Sequence, residues 1–479
     1  MSARRVRNAT QSAAPAPSIA PLITTVLVGA IAALLDTTIV AVALNELRRD
    51  LDAGVTVIQW VTTAYVLAMA AVIPLVGWTV GRFGARAMWL TVLGLFLVGS
   101  VLSGMAWSID SLIAFRVLQG LGGGMILPLT QLTLVRAAGP ERLGRVLGVS
   151  GLIGQLAPIS GPLLGGLLID GWGWRWIFFV NVPIVLVSLL MTVRWFPRDR
   201  QRSDEALDLV GLALLPTAVV ALLYALSTVD TGPDAAVRVE TLAGGIAAVL
   251  LLTAFVVRSV RRGGVGLIDL RLFADASFRA GVVMMFVLGV TTWGPMFLLP
   301  LYYQQVRGLS AFDAGLVLAP QSVGVGLAYL LVGQRADRLP PRPLALAGMA
   351  VATAGTIPFA FATAGTDTLL LGAALLVRGI GFGVAGLTIA VAIYRTLTPA
   401  AVPGAASAGN VIQRIGAGTG TALMALILQA GGYTPALTWM LILTAVGLAA
   451  TVLLPGRARP TSAPTTQQTT PPTEGTAQP

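Results

Sequence analysis

Residues 21–44 read PLITTVLVGAIAALLDTTIVAVAL, with Asp36 as the single charged side chain. A helix that crosses a bilayer needs about 20 predominantly apolar residues, so this stretch predicts a membrane span. Thirteen further stretches of the same kind follow along the chain. Hydrophobic residues make up 56% of the 479 residues and charged residues only 11%, which is too little polar surface to cover a water-soluble fold. The sequence therefore predicts an all-α integral membrane protein.

The fourteen predicted spans are flanked by two polar tails. Residues 1–19 carry Arg, Ser, Ala and Pro, and residues 456–479 are rich in Thr, Pro and Gln, so both are predicted to be disordered. In chain order, spans 1 to 14 lie near 21–44, 56–78, 87–106, 110–134, 143–168, 173–195, 208–229, 241–260, 279–303, 311–333, 343–363, 368–394, 405–429 and 436–455.

The basic residues are 31 arginines, and the chain has no Lys, His or Cys. Without Cys and His, the sequence excludes disulfides, the usual catalytic triads and a Cys/His metal site. Without Lys it has no P-loop, so it is not an ATP-driven pump of that type. We therefore expect no enzyme activity, no metal and no cofactor, and any proton transfer has to use carboxylates.

The arginines are distributed unevenly across the predicted membrane. With the N-terminus inside, 23 fall on cytoplasmic segments or the helix ends beside them, five on the outer side and three within spans. This positive-inside pattern predicts that both termini are cytoplasmic. Topology and anionic lipid explain the net charge of +11, so no nucleic-acid partner is expected. The three arginines within spans are Arg116, Arg378 and Arg414.

Two segments of the chain repeat a loop sequence. GWTVGRFGAR (77–86) follows span 2, and GQRADRLPPR (333–342) follows span 10. Spans 4 and 12 also share an arginine before a glycine-rich run, at Arg116 and Arg378. Repeated halves are typical of secondary transporters. The repeat predicts an N-terminal six-helix bundle at 20–196, a linker with inserted spans 7 and 8 at 197–276, and a C-terminal six-helix bundle at 277–455.

Six short motifs follow one another along the first six spans. They are LLDTTIVAVAL (34–44), QWVTTAYVLA (59–68), GWTVGRFGAR (77–86), RVLQGLGGG (116–124), GQLAPISGPLLGG (154–166) and WRWIFFVNVP (174–183). In this order they resemble the motifs of the major facilitator superfamily and, within it, of the fourteen-helix drug:proton antiporter group. The resemblance covers about residues 20–455. The departures are Gly81, where the loop motif usually has Asp, and Ala41 and Asn45 in the span 1 motif.

The resemblance implies a major facilitator fold with fourteen transmembrane helices in the bacterial cytoplasmic membrane. It implies export of amphiphilic small molecules such as drugs or antibiotics by alternating access, with the proton as coupling ion. The expected partners are that substrate, protons and the lipid bilayer, and the protein is expected to be monomeric. The alternatives are a specialised exporter of a lipid, sugar or native metabolite on the same fold, a proton-coupled importer, and a membrane receptor.

Asp36 is the only carboxylate well inside a predicted span. A charge in hydrocarbon costs at least about 2.5–3.5 kcal/mol, so Asp36 should face a cavity or a charged partner. The family motif implies a proton-binding acid, with Arg116 as the partner that assists proton release. The alternatives are a structural acid held permanently by Arg116, and an arginine that extends to the headgroups. Because one acid balances one positive charge, lipophilic monocations and neutral amphiphiles are expected to be preferred over dications.

The span 5 motif and the two loop motifs supply candidate conformational elements. Glycine allows close helix approach and proline bends a helix, so span 5 is expected to seal one face of the cavity and flex there; ordinary tight packing is the alternative. The span 5 residues are Gly154, Pro158, Gly161, Pro162, Gly165 and Gly166. The cytoplasmic loop motifs contribute Gly77, Arg82, Gly84, Arg86, Gly333, Asp337 and Arg338.

A substrate cavity with Met, aromatic and polar side chains is expected between the halves, because adaptable surfaces suit poorly specified ligands. For the Met and aromatic residues of span 9, simple contact with lipid is the alternative. The residues assigned to the cavity are Gln59, Tyr65, Gln119, Met125, Met285, Trp293, Met296, Phe297 and Arg378. Arg414 is predicted to lie close to the cytoplasmic end of span 13.

Overall fold

The chain folds into helices, as its composition predicts. The computed structural model describes residues 19–139, 141–198, 207–227, 239–263, 269–395, 397–398 and 401–455, and these residues contain no strand. Apart from Ile19, the predicted tails at 1–19 and 456–479 lie outside the described residues, as do parts of the predicted linker at 197–276. The α-helices are α1 (Ala20–Asp50), α2 (Val55–Ile58), α3 (Trp60–Val72), α4 (Val76–Phe83), α5 (Ala85–Gly104), α6 (Ile109–Ala138), α7 (Leu143–Gly154), α8 (Leu156–Trp172), α9 (Trp176–Phe179), α10 (Asn181–Trp195), α11 (Leu209–Ser227), α12 (Val239–Arg261), α13 (Ala276–Leu301), α14 (Ala311–Ala336), α15 (Pro341–Ala360), α16 (Thr368–Arg395), α17 (Val402–Gly431) and α18 (Tyr433–Ala450).

Thirteen helical segments of the described chain are long and apolar enough to cross a membrane. One of them consists of α3 and α4, because the 3-10 turn Ile73–Leu75 continues the helix between them. The remaining predicted span, at 143–168, is divided at Gln155 into α7 and α8, which have 12 and 17 residues. The all-α membrane fold is confirmed, and span 5 is a broken helix rather than a continuous one.

Helix packing separates an N-terminal group from a C-terminal group. In the first, α6 packs against α3 and α5, and α1 packs against α8 and α10. In the second, α16 packs against α14 and α15, and α13 packs against α17. The inserted helices α11 and α12 pack against each other, and Asp208 joins them by ion pairs with Arg258 and Arg262. Because α11 also contacts α3 and α17, the inserted pair lies across one seam between the halves.

One apolar core joins the two halves at the side of the membrane where the described chain begins and ends, which we call the terminus side. Val80 and Leu143 of the N-terminal half are buried in this core. Ala336, Val402 and Leu454 of the C-terminal half belong to the same core. The halves are therefore closed against each other on the terminus side.

On the opposite side of the membrane, each half has a core of its own. The N-terminal core contains Leu47 and Trp174, and the C-terminal core contains Tyr302 and Leu437. Burial of apolar side chains stabilises each half there, but no cluster of the described residues links the two. The apolar cores of the two halves are therefore separate on this side.

The break at Gln155 marks the point where span 5 leaves the other half. α7 packs so closely on α14 that a Cβ at Gly151 would lie 2.2 Å from the ring of Tyr329. Beyond the break, α8 packs on α1 of its own half, and a Cβ at Gly161 would lie 2.0 Å from the hydroxyl oxygen of Thr38. Both segments therefore depend on glycine for close helix approach, but toward different partners.

Candidate functional site

Asp36 of α1 is fully buried and is bonded to side chains of α6 and α10. Its Oδ2 accepts a hydrogen bond from Arg116 Nη1 at 2.6 Å, and the two groups form an ion pair. Its Oδ1 accepts from Gln119 Nε2 at 2.9 Å and from Asn181 Nδ2 at 3.1 Å. The hydroxyl of Ser100 in α5 accepts from both of these amide groups at 3.0 Å. The carboxylate is thus surrounded by one cation and two amide donors.

Arg116 is only 1% exposed, so it does not extend to the headgroups. Its Nη1 also donates to Gln119 Oε1 at 2.6 Å, and its Nε donates to the carbonyl of Val61 at 3.2 Å. Its guanidinium carbon lies 3.8 Å from the centroid of the Tyr65 ring, within cation–π range. Because a buried charge is tolerated only when it is paired and hydrogen-bonded, these contacts explain how Arg116 remains in the interior.

Glycines place the elements of this network close together. A Cβ at Gly99 of α5 would lie 2.5 Å from the Cα of Gln119. A Cβ at Gly120 of α6 would lie 2.6 Å from the carbonyl oxygen of Tyr65. The glycine-rich run after Arg116 therefore allows α3 and α5 to approach α6 at the level of the Asp36 network.

Arg378 of α16 is also fully buried, but it bonds differently. Its Nη1 donates to Gln321 Oε1 of α14 at 2.5 Å, and its Nη2 donates to the carbonyl of Thr291 in α13 at 2.8 Å. Its Nε has no hydrogen-bond partner, and its guanidinium carbon lies 4.6 Å from the centroid of the Phe382 ring. Within the part of the chain that the structure describes, Arg378 is bonded only to neutral groups.

The second loop motif connects the two halves on the terminus side. Asp337 Oδ1 accepts a hydrogen bond from the backbone N–H of Gly144 at 2.6 Å, and Oδ2 accepts from that of Arg145 at 3.3 Å. Both N–H groups lie in the first turn of α7, where they have no partner within the helix, so Asp337 caps a helix of the opposite half. Burial raises the pKa of the Asp337 carboxyl, and the two backbone donors oppose that shift.

The first loop motif has Gly81 in place of a carboxylate and makes other contacts. A Cβ at Gly77 would lie 3.6 Å from the backbone of α17, so this seam is closed by backbone packing. Gly84, between α4 and α5, has a φ of 89°, which glycine adopts readily. Arg86 Nη2 donates to the carbonyl of Val193 at 2.8 Å. Of the other loop residues, Arg82 and Arg338 are exposed, and Gly333 is buried beside Gly144.

The glycines of the span 5 motif differ in their surroundings. A Cβ at Gly161 or Gly165 would press on α1, the latter at 3.1 Å from Ile39. A Cβ at Gly154 would make an ordinary contact, 3.9 Å from a methyl group of Leu34, and one at Gly166 would meet open space. Pro158 and Pro162 lie one turn apart in α8, just beyond the break.

The nine residues predicted to line a substrate cavity lie in several environments. Tyr65 and Gln119 are buried in the Asp36 network, Met125, Met285 and Arg378 are buried within the halves, Phe297 is half-buried, and Gln59, Trp293 and Met296 are exposed. Close helix packing encloses the five buried residues in this conformation, and the assignment of the nine residues to a substrate cavity stays a prediction.

Two polar residues of the network, Ser100 and Asn181, were missed in the sequence. Asn181 lies within the WRWIFFVNVP motif, and an amide side chain inside such an apolar run was a signal that could have been used. Ser100 gave no signal, since serine is common in membrane helices.

Comparison with known proteins identifies the family. The model of the Major Facilitator Superfamily matches residues 26–421. The chain belongs to the major facilitator superfamily. Members of this superfamily are membrane transporters, so the protein is a transporter rather than an enzyme. The match covers the inserted helices and both halves of the fold up to residue 421, within α17.

Relatives within the superfamily are named as multidrug resistance proteins. The Multidrug resistance protein B homolog of Mycobacterium tuberculosis (strain ATCC 25618 / H37Rv) is 38% identical over 395 residues, covering 82% of this chain and 73% of that protein. The Multidrug resistance protein Stp of the same strain is 33% identical over 411 residues, covering 83% and 73%. The Multidrug transporter protein MdtP of Bacillus subtilis (strain 168) is 25% identical over 411 residues, covering 85% and 75%.

Solved structures share the fold. The human organic anion transporter MFSD10 superposes with a TM-score of 0.68 at 14% identity, covering 91% of this chain and 100% of that chain. The proton:xylose symporter XylE gives a TM-score of 0.63 at 14% identity, covering 91% and 94%. At this identity the likeness concerns the fold alone, and it confirms the predicted major facilitator fold.

Proposed function

We propose that the protein is a proton-coupled antiporter that exports amphiphilic small molecules across the bacterial cytoplasmic membrane by alternating access. The observation that carries the proposal is the buried Asp36–Arg116 pair. Asp36 is the only carboxylate in the described spanning helices that lies more than two turns from a helix end. The names of the relatives support the substrate class. The arginine asymmetry supports cytoplasmic termini, so the terminus side is the inner side.

The contacts of Asp36 suggest how proton uptake is linked to helix movement. Each hydrogen bond described at its two oxygens is donated to it, by Arg116, Gln119 and Asn181. Such an environment suits a carboxylate. Protonation would remove the charge that these donors stabilise, and the weakened contacts would allow α6 or α10 to shift relative to α1.

In this proposal the structure corresponds to the outward-open state. The inner side is closed by the packing of α7 on α14, by the Asp337 cap, and by a hydrogen bond of 2.7 Å from Asn410 Nδ2 to Gln131 Oε1. Inward opening has to break these contacts, because they join the two halves. The separate outer cores would then come together and close the other side.

The test is transport in proteoliposomes by the wild type and by Asp36→Asn. The probe is N-phenyl-1-naphthylamine, a neutral amphiphile, with a pH gradient as the only driving force. The wild type is expected to move the probe against its concentration gradient, and Asp36→Asn is expected to lose this ability while still exchanging labelled probe without a gradient. Asp269→Asn, which removes a surface carboxylate, is the control. Accumulation of the probe by Asp36→Asn under a pH gradient alone would contradict the proposal.

A further inference from the structure

The charges inside the spanning helices do not balance among the described residues. Asp36 and Arg116 neutralise each other. Arg378 and Arg414 lie deep in α16 and α17, and neither forms an ion pair with any residue that the structure describes. An uncompensated cation in the membrane interior is costly, so each of these positions favours a bound group that supplies a counter-charge.

Arg414 lies at the seam between the halves. α17 begins at Val402, so Arg414 lies about 18 Å along the helix at 1.5 Å per residue, well beyond the cytoplasmic end where it was predicted. Asn410, one turn earlier on the same helix face, donates across the seam to Gln131 of α6. Arg414 is close enough to Tyr65 of the N-terminal half for the two groups to interact electrostatically. Arg414 therefore lies on the helix face that meets the other half.

The surroundings of Arg414 leave its guanidinium available. The residue is partly exposed, and it makes no hydrogen bond to any of the described residues. It lies one turn beyond Asn410, toward the side where each half has an apolar core of its own.

Arg378 contributes charge from a more enclosed position. Its Nε lacks a hydrogen-bond partner, and Gln321, which accepts from its Nη1, is itself partly exposed. The amide of Gln321 thus lies between the Arg378 guanidinium and the surface of α14. From there the positive charge acts through a medium of low dielectric constant, in which electrostatic potential extends further than in water.

We propose that Arg414 binds an acidic group of the substrate, a carboxylate or a sulfonate, and that Arg378 adds positive potential to the same region. The planar guanidinium offers paired donors that match such groups. This inference rests on the proposed export of amphiphiles and names their charge class. It reverses the expectation that monocations are preferred, because Asp36, which was expected to balance a cation, is already paired with Arg116.

The test is equilibrium binding to the purified protein in detergent, which does not depend on proton coupling. The probes are 8-anilino-1-naphthalenesulfonate, its uncharged counterpart N-phenyl-1-naphthylamine, and the cation tetraphenylphosphonium. The wild type is expected to bind the sulfonate most tightly. Arg414→Gln should weaken sulfonate binding roughly 10- to 100-fold, the range of a lost charge-assisted hydrogen bond, and leave binding of the neutral probe unchanged.

Further variants and conditions sharpen this test. Arg414→Lys should keep part of the preference, and Arg378→Gln should show a smaller loss than Arg414→Gln. Arg194→Gln, at an exposed arginine of α10, is the control without effect. Tighter binding of tetraphenylphosphonium, or an unchanged sulfonate affinity in Arg414→Gln, would overturn the inference. Displacement of the sulfonate when gluconate is replaced by chloride at equal ionic strength would assign the position to an inorganic anion and would also overturn it. Failure here would leave the Asp36 coupling result untouched.

Discussion

The two halves of the molecule place their charges in opposite ways. The N-terminal half has a carboxylate in the membrane interior, Asp36, and a glycine, Gly81, at the position of its terminus-side motif where an acid is usual. The C-terminal half has Asp337 in the equivalent loop and, among its described residues, no carboxylate beside the buried Arg378. Arg116 and Arg378 both precede glycine-rich runs, yet only Arg116 forms an ion pair.

The interior acid Asp36 and the loop acid Asp337 therefore lie in different halves, whereas a symmetric molecule would have both acids in each half. The interior acid of the N-terminal half accepts hydrogen bonds from three side chains of its own half. The loop acid of the C-terminal half caps a helix of the other half and so contributes to closure. Asp36 and Asp337 lie far apart in the sequence and share no contact. A substitution of one acid therefore leaves the contacts of the other acid in place.

The largest difference in stability is expected between substitutions of the two buried arginines, Arg116 and Arg378. Arg116→Gln leaves the charge of Asp36 unpaired, and breaking a buried pair from one side costs about 3–5 kcal/mol of stability. Arg378→Gln removes a cation that bonds only to neutral groups in the described chain, so its cost should be much smaller. Thermal unfolding of the purified variants in detergent measures the difference.

A double variant provides the control for this comparison. Adding Asp36→Asn to Arg116→Gln removes the second charge, so part of the lost stability should return. Equal destabilisation by the two single arginine variants would contradict the distinction between the halves.

A second, intermediate effect concerns packing within the N-terminal half. Gly161→Ala would place a Cβ 2.0 Å from the hydroxyl oxygen of Thr38, so α8 and α1 have to move apart. Overpacking of this kind typically costs about 1–3 kcal/mol. Gly166→Ala, five residues along the same helix, meets open space and should leave both stability and transport near the wild type. Similar unfolding temperatures for the two variants would count against the close α1–α8 contact.

A third and smaller effect concerns closure by the loop of the C-terminal half. Asp337→Ala removes the cap of α7, and a lost N-cap costs about 0.5–2 kcal/mol. The chain has no cysteine, so Ala336→Cys, buried at this seam, can be labelled with a maleimide without background. Labelling should be several-fold faster with Asp337→Ala than with the exposed Arg338→Ala. Identical rates would show that the cap does not contribute to closure.

The smallest effect is expected at the inserted helices. The hydrogen bonds from Arg258 hold the pKa of Asp208 below its ordinary value of 3.8, so this pair stabilises the fold above that pH and the contribution is lost as pH falls through the lowered pKa. Asp208→Asn should lower the unfolding temperature slightly at neutral pH, and the difference from the wild type should vanish in strong acid. A difference in unfolding temperature that grows on acidification would contradict the stabilising role of the ionised Asp208. Asp269→Asn, in an exposed local pair, is the control.

The sequence predicted the membrane class and the main acid, because both depend on simple physical limits. Long apolar stretches must cross the bilayer, and a lone interior carboxylate such as Asp36 must find a partner. The pairing of Asp36 with Arg116 was instead implied by the family motif, and the structure contains it.

Features set by packing could not be predicted in the same way. The break at Gln155 arises where span 5 changes partner, and a single span gives no information about its partners. Tyr65 and Gln119 contact the other residues of the Asp36 network because Gly99 and Gly120 allow the helices to approach closely. That contact depends on helix rotation, which hydropathy does not specify.

The central claim is that Asp36 carries the proton that is exchanged for substrate, and proton release by the purified protein tests it most directly. Wild type and Asp36→Asn in weakly buffered detergent are titrated with N-phenyl-1-naphthylamine while an indicator dye records the pH. The wild type should release protons on binding over a limited pH range, and Asp36→Asn should bind the probe and release none. Equal proton release by the two proteins would contradict the account.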